Sequence, residues 1–391
     1  MSSANKIRKI DAAEILIIIG FFFHFLKTKK SNIFCKNFTI FLIISNIFGL
    51  GFESSAEVYG YYRGTRSLGM GGADVAVVND ETALLVNPAA LGKLRDQFGT
   101  LIDPEIDYGD KLNGINKAKT IGNYTSLEKV SASLLVSPDT HYHYKSQFFP
   151  SFVLRNFGIG VFNSTQLDAR MNSDGTALST HYYNDQSLIL GYSLRFFDGR
   201  IKIGFNVKAM NRISVVGDID PNQSLALKDN AKTGSAIGND IALVLSAPWS
   251  TLPTITAVIR DYGDTTFRTS SYSLKTDARP DVILQDIDVG IAFFPIHNNR
   301  TRSSFTFEYK HLNKANLVVD KNQLYHLGYE FNLADIAFFR LGMNGIYWTA
   351  GFELSSERFQ FQMAYYGEEV GLSASALEED RRLSAKVAYR F

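Results

Sequence analysis

Two histidines two residues apart, His141 and His143, are the first side chains in this chain that could act together. On an extended segment they share one face and could touch one metal ion. Tyr142 and Tyr144 interleave with them and no third ligand follows, so loop or lumen histidines are expected and no metal site is assigned. Gly191-Tyr192-Ser193-Leu194-Arg195 sets a serine after a glycine but lacks the second glycine of a nucleophile elbow. Gly69-Met70-Gly71-Gly72 is glycine-dense, yet it does not have dinucleotide-loop spacing and brings no phosphate-binding lysine. The single cysteine, Cys35, argues against disulfides, thiolate zinc and a cysteine nucleophile. No catalytic residue, metal or cofactor is therefore assigned. What remains is a set of charges at alternating positions: Arg195, Lys202, Lys208, Glu308, Lys310, Glu330, Lys386 and Arg390. Facing a polar lumen, they would hydrate it and pair with one another, or select for an anionic headgroup.

The elements carrying those charges read as long strands. In Arg382 to Phe391, Leu383, Ala385, Val387, Tyr389 and Phe391 alternate with Arg382, Ser384, Lys386, Ala388 and Arg390. Successive strand side chains face opposite sides, so one face is mainly apolar and the other carries three cations. The same two-residue period recurs from Ile201 to Ala209, Ile287 to Phe293, Phe305 to Tyr309, Tyr325 to Leu333 and Phe359 to Tyr365. Strands of nine or ten residues suit a tilted crossing of a bilayer better than a soluble sandwich. Candidate strands begin near Phe98, Leu127, Phe148, Gly158, Gln186, Arg200, Asn239, Pro253, Leu284, Arg302, Leu324, Phe338, Ile346, Arg358 and Arg382. Phe98 and Phe338 are the weakest of these, and about fourteen strands are expected. Asp218 to Gly238 and Thr265 to Pro280 read as outer loops, Asp198-Gly199 and Arg155-Asn156-Phe157-Gly158 as tight turns.

Composition agrees. Phe (30) and Tyr (19) are abundant and Pro (9) is scarce, which favours strands. Forty basic residues against 39 acidic ones leave no electrostatic case for nucleic acid. Two apolar runs, Ile15 to Leu26 and Phe38 to Phe52, are both too short to span a bilayer as a helix. The second follows basic residues and ends at Ser54-Ser55-Ala56, the order of a secretory signal, so residues 1–56 are expected to be a leader cleaved after Ala56. The first run fits a two-part leader, an N-terminal anchor or a start placed too far upstream. Cys35 precedes its apolar run, unlike a lipoprotein cysteine.

Residues 57–97 form a different region. Asn79 or Asp80 can cap a short helix, Pro88 should end it at Asn87, and Asn87 can cap a second turn with Pro88 in its first position. Glycines 69–72 would let the segment lie close against a wall. S-L-G-M-G-G-A at 67–73, Asp80 and Ala83, and N-P-A-A-L at 87–91 resemble the N-terminal hatch of the FadL superfamily of outer-membrane proteins. The motif residues are Gly69, Gly71, Gly72, Asp80, Asn87, Pro88 and Ala89, and the short glycine-rich form is closest to the PorV-like branch.

The resemblance implies an all-β, integral outer-membrane barrel of about fourteen strands over residues 98–391, plugged by residues 57–97. In the transporter branch an apolar ligand enters from outside, is blocked by the hatch, and leaves sideways through a strand kink. Passive transport of long-chain fatty acid-like compounds is the first functional expectation. A structural or secretion-adaptor barrel binding another protein is the second, and an outer-membrane hydrolase the third. Outer-membrane lipid and a hydrophobic small molecule are the expected partners. The assembly machinery is another, because Val387, Tyr389 and the final Phe391 resemble its terminal-strand signal.

Overall fold

The computed structural model describes residues 59–110, 124–268, 278–315, 318, 320–371, 373 and 375–391. The expected leader and Cys35 lie outside them. Seventeen strand segments make one antiparallel sheet that closes on itself. They are β1 (Phe98–Ile102), β2 (Glu105–Gly109), β3 (His141–Phe148), β4 (Ser151–Leu154), β5 (Phe157–Met171) and β6 (Leu178–Phe196). β7 (Ile201–Ile219), β8 (Lys232–Ser246), β9 (Thr254–Arg260), β10 (Asp286–Phe293), β11 (Ile296–Asn298) and β12 (Thr301–Tyr309) follow. β13 (Tyr325–Leu333), β14 (Ala337–Asn344), β15 (Tyr347–Ser355), β16 (Phe359–Glu369) and β17 (Glu379–Arg390) complete the wall.

Three pairs of segments are single staves that have been interrupted. β1 and β2 both pair with β17, β3 and β4 both with β5, and β10 and β11 both with β12. The molecule is thus a fourteen-stave closed barrel. Closure runs through β17, where Leu383 faces Tyr108 and Arg390 faces Thr100.

Period two sets the faces. Along β6, Leu188, Leu190 and Tyr192 are exposed while Ser187, Gly191 and Ser193 are buried. On β7, Ile203, Phe205 and Val207 point outward while Lys202, Asn206 and Lys208 are buried. Apolar outside and charged inside inverts a soluble protein, and only a closed barrel satisfies strand backbones in lipid. The chain is an integral barrel of the outer-membrane kind.

Two adjacent staves are interrupted at prolines, Asp103-Pro104 and Phe149-Pro150. Proline has no N–H to give the ladder. β1 pairs with β4 as far as Thr100–Ser151, and β2 pairs with β3 from Glu105–Gln147. Four residues of one stave therefore face three of the other without ladder pairs, a bulge in the wall. One side-chain bond spans this seam: the Phe149 N–H donates to Asp103 Oδ1 at 2.6 Å.

One expected strand is a helix. Leu127–Val136 buries Leu127, Val130, Ser131 and Leu134, a spacing of three and four that belongs to a helix. The stave assigned to that region is His141–Phe148 instead. β6 and β8 begin earlier than Gln186 and Asn239, at Leu178 and Lys232, so part of the expected outer loop from Asp218 is strand.

Candidate functional site: a plug bonded to two sides of the lumen

Residues 59–97 cross the barrel interior. A short helix, Thr65–Gly69, leads into Gly71 and Gly72, whose φ values of +68° and +80° are left-handed and favour glycine. Their backbone lies on a glycine row of the wall, where Gly328 pairs with Gly342 across β13 and β14. A Cβ on Gly342 would stand 2.3 Å from the Gly71 nitrogen. Thr349 Oγ1 accepts from the Gly71 N–H (2.9 Å) and donates to the Gly69 carbonyl (3.1 Å). His326 Nδ1 contacts the Gly71 carbonyl at 2.7 Å.

Charge fastens this side. Arg66 grips Glu330 with two nitrogens at 2.9 and 3.1 Å, and donates to Asp80 at 2.9 Å and Asn79 at 2.6 Å. Burial alone would raise the Asp80 carboxyl, but Arg66 and Arg390 hold it well below the usual carboxylate range. Glu330 also accepts from Arg340 (2.7 Å), which continues to Glu353. Lys310 bonds Asp74 at 2.7 Å, and Glu308 accepts from the Asp74 and Ala76 N–H groups at 3.0 Å each. Buried Glu81 is met by Arg390 at 2.7 Å and Lys386 at 3.7 Å, and Lys386 reaches Asp103 at 3.5 Å beside the seam.

The other side is mostly apolar. Helix Ala83–Val86 ends at Asn87, and a 3-10 helix, Pro88–Lys93, begins there with Pro88 in its first position. The Asn87 amide donates to the Val75 carbonyl (2.7 Å) and Thr256 (3.0 Å), while its oxygen accepts from the Ala89 N–H (3.1 Å). Asp80 accepts from the Thr82 N–H at 2.9 Å, before Ala83–Val86. Leu84, Leu85, Val86, Ala89 and Leu91 pack with Phe149, Val153, Phe162, Ile189 and Val258. A Cβ on Gly204 of β7 would meet the Ala89 nitrogen at 2.1 Å. This cluster includes Phe149, so it abuts the seam.

The remaining candidates fall into place individually. Lys208 pairs with Asp240 (2.8 Å) and Asp261 (3.0 Å). Arg195 is exposed at the short-turn end, and Lys202 is buried beside it. Val387, Tyr389 and Phe391 lie exposed on the outer face of the last stave and beyond its end. His141 and His143 do not converge on one point: the first contacts Asp380 at 3.1 Å, the second Asp168 at 2.5 Å. Asp286, Asp288 and His311 bring ligand atoms within 4.8 Å of one another, but Lys314 (3.3 Å) and Arg260 (2.9 Å) already pair with those carboxylates, so the set does not suit a cation. Ser193 donates to the Ala89 carbonyl and is fully buried. The Ser303–His297 contact (2.8 Å) is joined by Tyr329 at 3.2 Å, and among the described residues no carboxylate is bonded to that histidine. Neither serine is set up as a nucleophile.

On the long-loop side of the plug lie luminal cavities of about 270 and 90 Å³, bordered by Tyr59, Tyr61, Arg212, Asp286 and Lys314.

Compared with solved structures, the barrel matches the P. putida toluene transporter TodX with a TM-score of 0.51, at 13% identity over 84% of this chain and 98% of that one. The fold is that of the outer-membrane hydrocarbon channels. The CymD monoaromatic hydrocarbon channel matches with a TM-score of 0.50, at 10% identity over 84% and 96%. A Pseudomonas aeruginosa FadL homologue aligns over 84% and 96% at 12% identity, with a TM-score of 0.44. TodX is a toluene transporter and CymD a monoaromatic hydrocarbon channel. No family model and no curated protein matches the sequence.

Proposed function

We propose that this chain is a passive outer-membrane channel for hydrophobic compounds of long-chain fatty acid type, with residues 57–97 as its displaceable plug. The observation that carries the reading is the apolar cluster joining the plug to the interrupted staves. A solute that displaces Leu84, Leu85 and Leu91 from Phe149 and Val153 arrives at the one stretch where the first two staves lack ladder pairs. Ladder bonds need not be broken there for a solute to pass into lipid. The fold shared with hydrocarbon channels supports this reading, and no energy source is required. We further propose that Val387, Tyr389 and Phe391 serve as the assembly signal.

Deleting residues 57–97 should raise uptake of labelled laurate or toluene into proteoliposomes severalfold. Asn87→Ala, which leaves the Ala89 N–H and Val75 carbonyl without a partner, should raise it less. Unchanged uptake in both variants would refute transport.

A second reading has its own observation. The plug is bonded to the wall along most of its length, as a static structural or protein-binding barrel of the PorV-like kind would need. A plug that stays protease-resistant while uptake is absent, together with co-purification of a stoichiometric protein, would favour that reading.

A further inference from the structure

We infer that Lys93, Arg195 and Lys202 form an anion-binding site at the short-turn mouth of the plug, suited to the carboxylate or phosphate of an amphiphile. The inference names the chemistry of what leaves the proposed passage, and so rests on that reading for the direction of traffic.

The hairpin at Asp198-Gly199 sets Arg195 directly opposite Lys202 across β6 and β7. Like charges in that relation weaken a strand pair. The plug backbone rests on both stems: a Cβ on Gly92 would lie 3.1 Å from Lys202 Cδ and 3.2 Å from Arg195 Cγ. Lys93, the next residue, adds the third cation. Among the described residues none of the three has a carboxylate within ion-pair distance, whereas Lys208, Lys310 and Lys386 each do.

Lys202 is only 6% exposed and its ammonium donates to the Gly199 carbonyl. The Lys93 ammonium donates to the Ala76 carbonyl at 2.7 Å. Each ammonium has three donors, and a carbonyl leaves the charge uncompensated. Burial, reinforced by the Lys202 charge, brings Lys93 down to about 7. The acid whose field reaches it, Glu308, is already engaged by Lys310 and two plug N–H groups. An anion from outside the chain would supply the missing charge. Leu91, two residues before Lys93, belongs to the apolar cluster, so a ligand could keep its chain there with its head among the cations.

The test is calorimetric titration of the detergent-purified full chain with laurate and, separately, dodecanol, which has the same chain length and no charge. Laurate should bind at least ~10-fold more tightly, and Arg195→Gln or Lys93→Gln should remove most of that preference while leaving dodecanol unchanged. Arg195 is exposed, so its variant keeps the fold. Inorganic phosphate that displaces laurate would show that free anions occupy the site. Displacement by an anionic phospholipid headgroup but not by phosphate would assign it to lipid. Equal binding of laurate and dodecanol, or a preference untouched by Arg195→Gln, would overturn the inference. Failure of dodecanol to bind at all, with phosphate still binding in an Arg195-dependent way, would instead count against the passage reading alone.

Discussion

The two sides on which the plug rests are built from different chemistry. Against β12–β15 it is held by directional bonds: the Arg66–Glu330 fork, Thr349 on Gly69 and Gly71, and Lys310, at the end of β12, on Asp74. Against β5–β9 it is held mainly by apolar burial, with Asn87 as the central polar pin. Bidentate, desolvated ion pairs fail abruptly when their geometry is lost. Apolar contacts are non-directional, so a hydrophobic solute can replace one partner by another of the same kind. The charged side therefore anchors the plug, and the greasy side, which adjoins the seam, is where a ligand can compete.

The largest expected effect comes from the glycine rows. Gly342→Leu and Gly204→Leu each drive a side chain into plug backbone, and each should expel its own side of the plug, read as new protease cleavage in residues 59–97. Gly204→Leu should raise laurate uptake several times more than Gly342→Leu. Equal effects would erase the distinction between anchor and competitor.

Next come single contacts. Arg66→Met leaves the half-buried Asp80 without its main partner and should cost about 2–3 kcal/mol of plug docking. Leu91→Ala should cost about 2–5 kcal/mol. Despite similar costs, only Leu91→Ala should increase uptake of toluene; a matching increase in Arg66→Met would contradict the comparison.

The smallest effects are in pH. The Asp80 carboxyl is lowered in the folded state, so its contribution is full above its ordinary value of 3.8 and is lost as pH falls below it. Lys93 is lowered from 10.5 to about 7, so the unfolded chain holds the extra proton between those values and docking strengthens as pH rises through that window. Protease protection of the plug should thus decline in acid at the Arg66 end and rise in mild alkali at the Lys93 end.

The stave pattern and the cap at Asn87 were readable from sequence because both are local. Alternation needs only neighbours two apart, and Asn-Pro before small residues carries its own geometry. The partners of the plug were not readable: Arg66 and Glu330, or Gly71 and Gly342, are brought together only when the barrel closes. Leu127 to Val136 was misread because a short apolar segment satisfies period two and period 3.6 about equally well. Two missed features had signals. Pro104 and Pro150, within otherwise strand-like runs, mark the seam. Arg195 and Lys202 are equally spaced about Asp198-Gly199, which forces them to face each other.

The hairpin of β6 and β7 has nineteen residues in each arm. At roughly 3.3 Å per residue and a 45° tilt, such an arm climbs about 45 Å, against a hydrocarbon layer of about 30 Å. That part of the wall therefore stands clear of the bilayer like a chimney, and its mouth opens into the surrounding liquid. Molecules already dissolved in the outer leaflet would slide past its base, and any solute using the proposed passage would have to arrive from water, at the speed of diffusion in the medium.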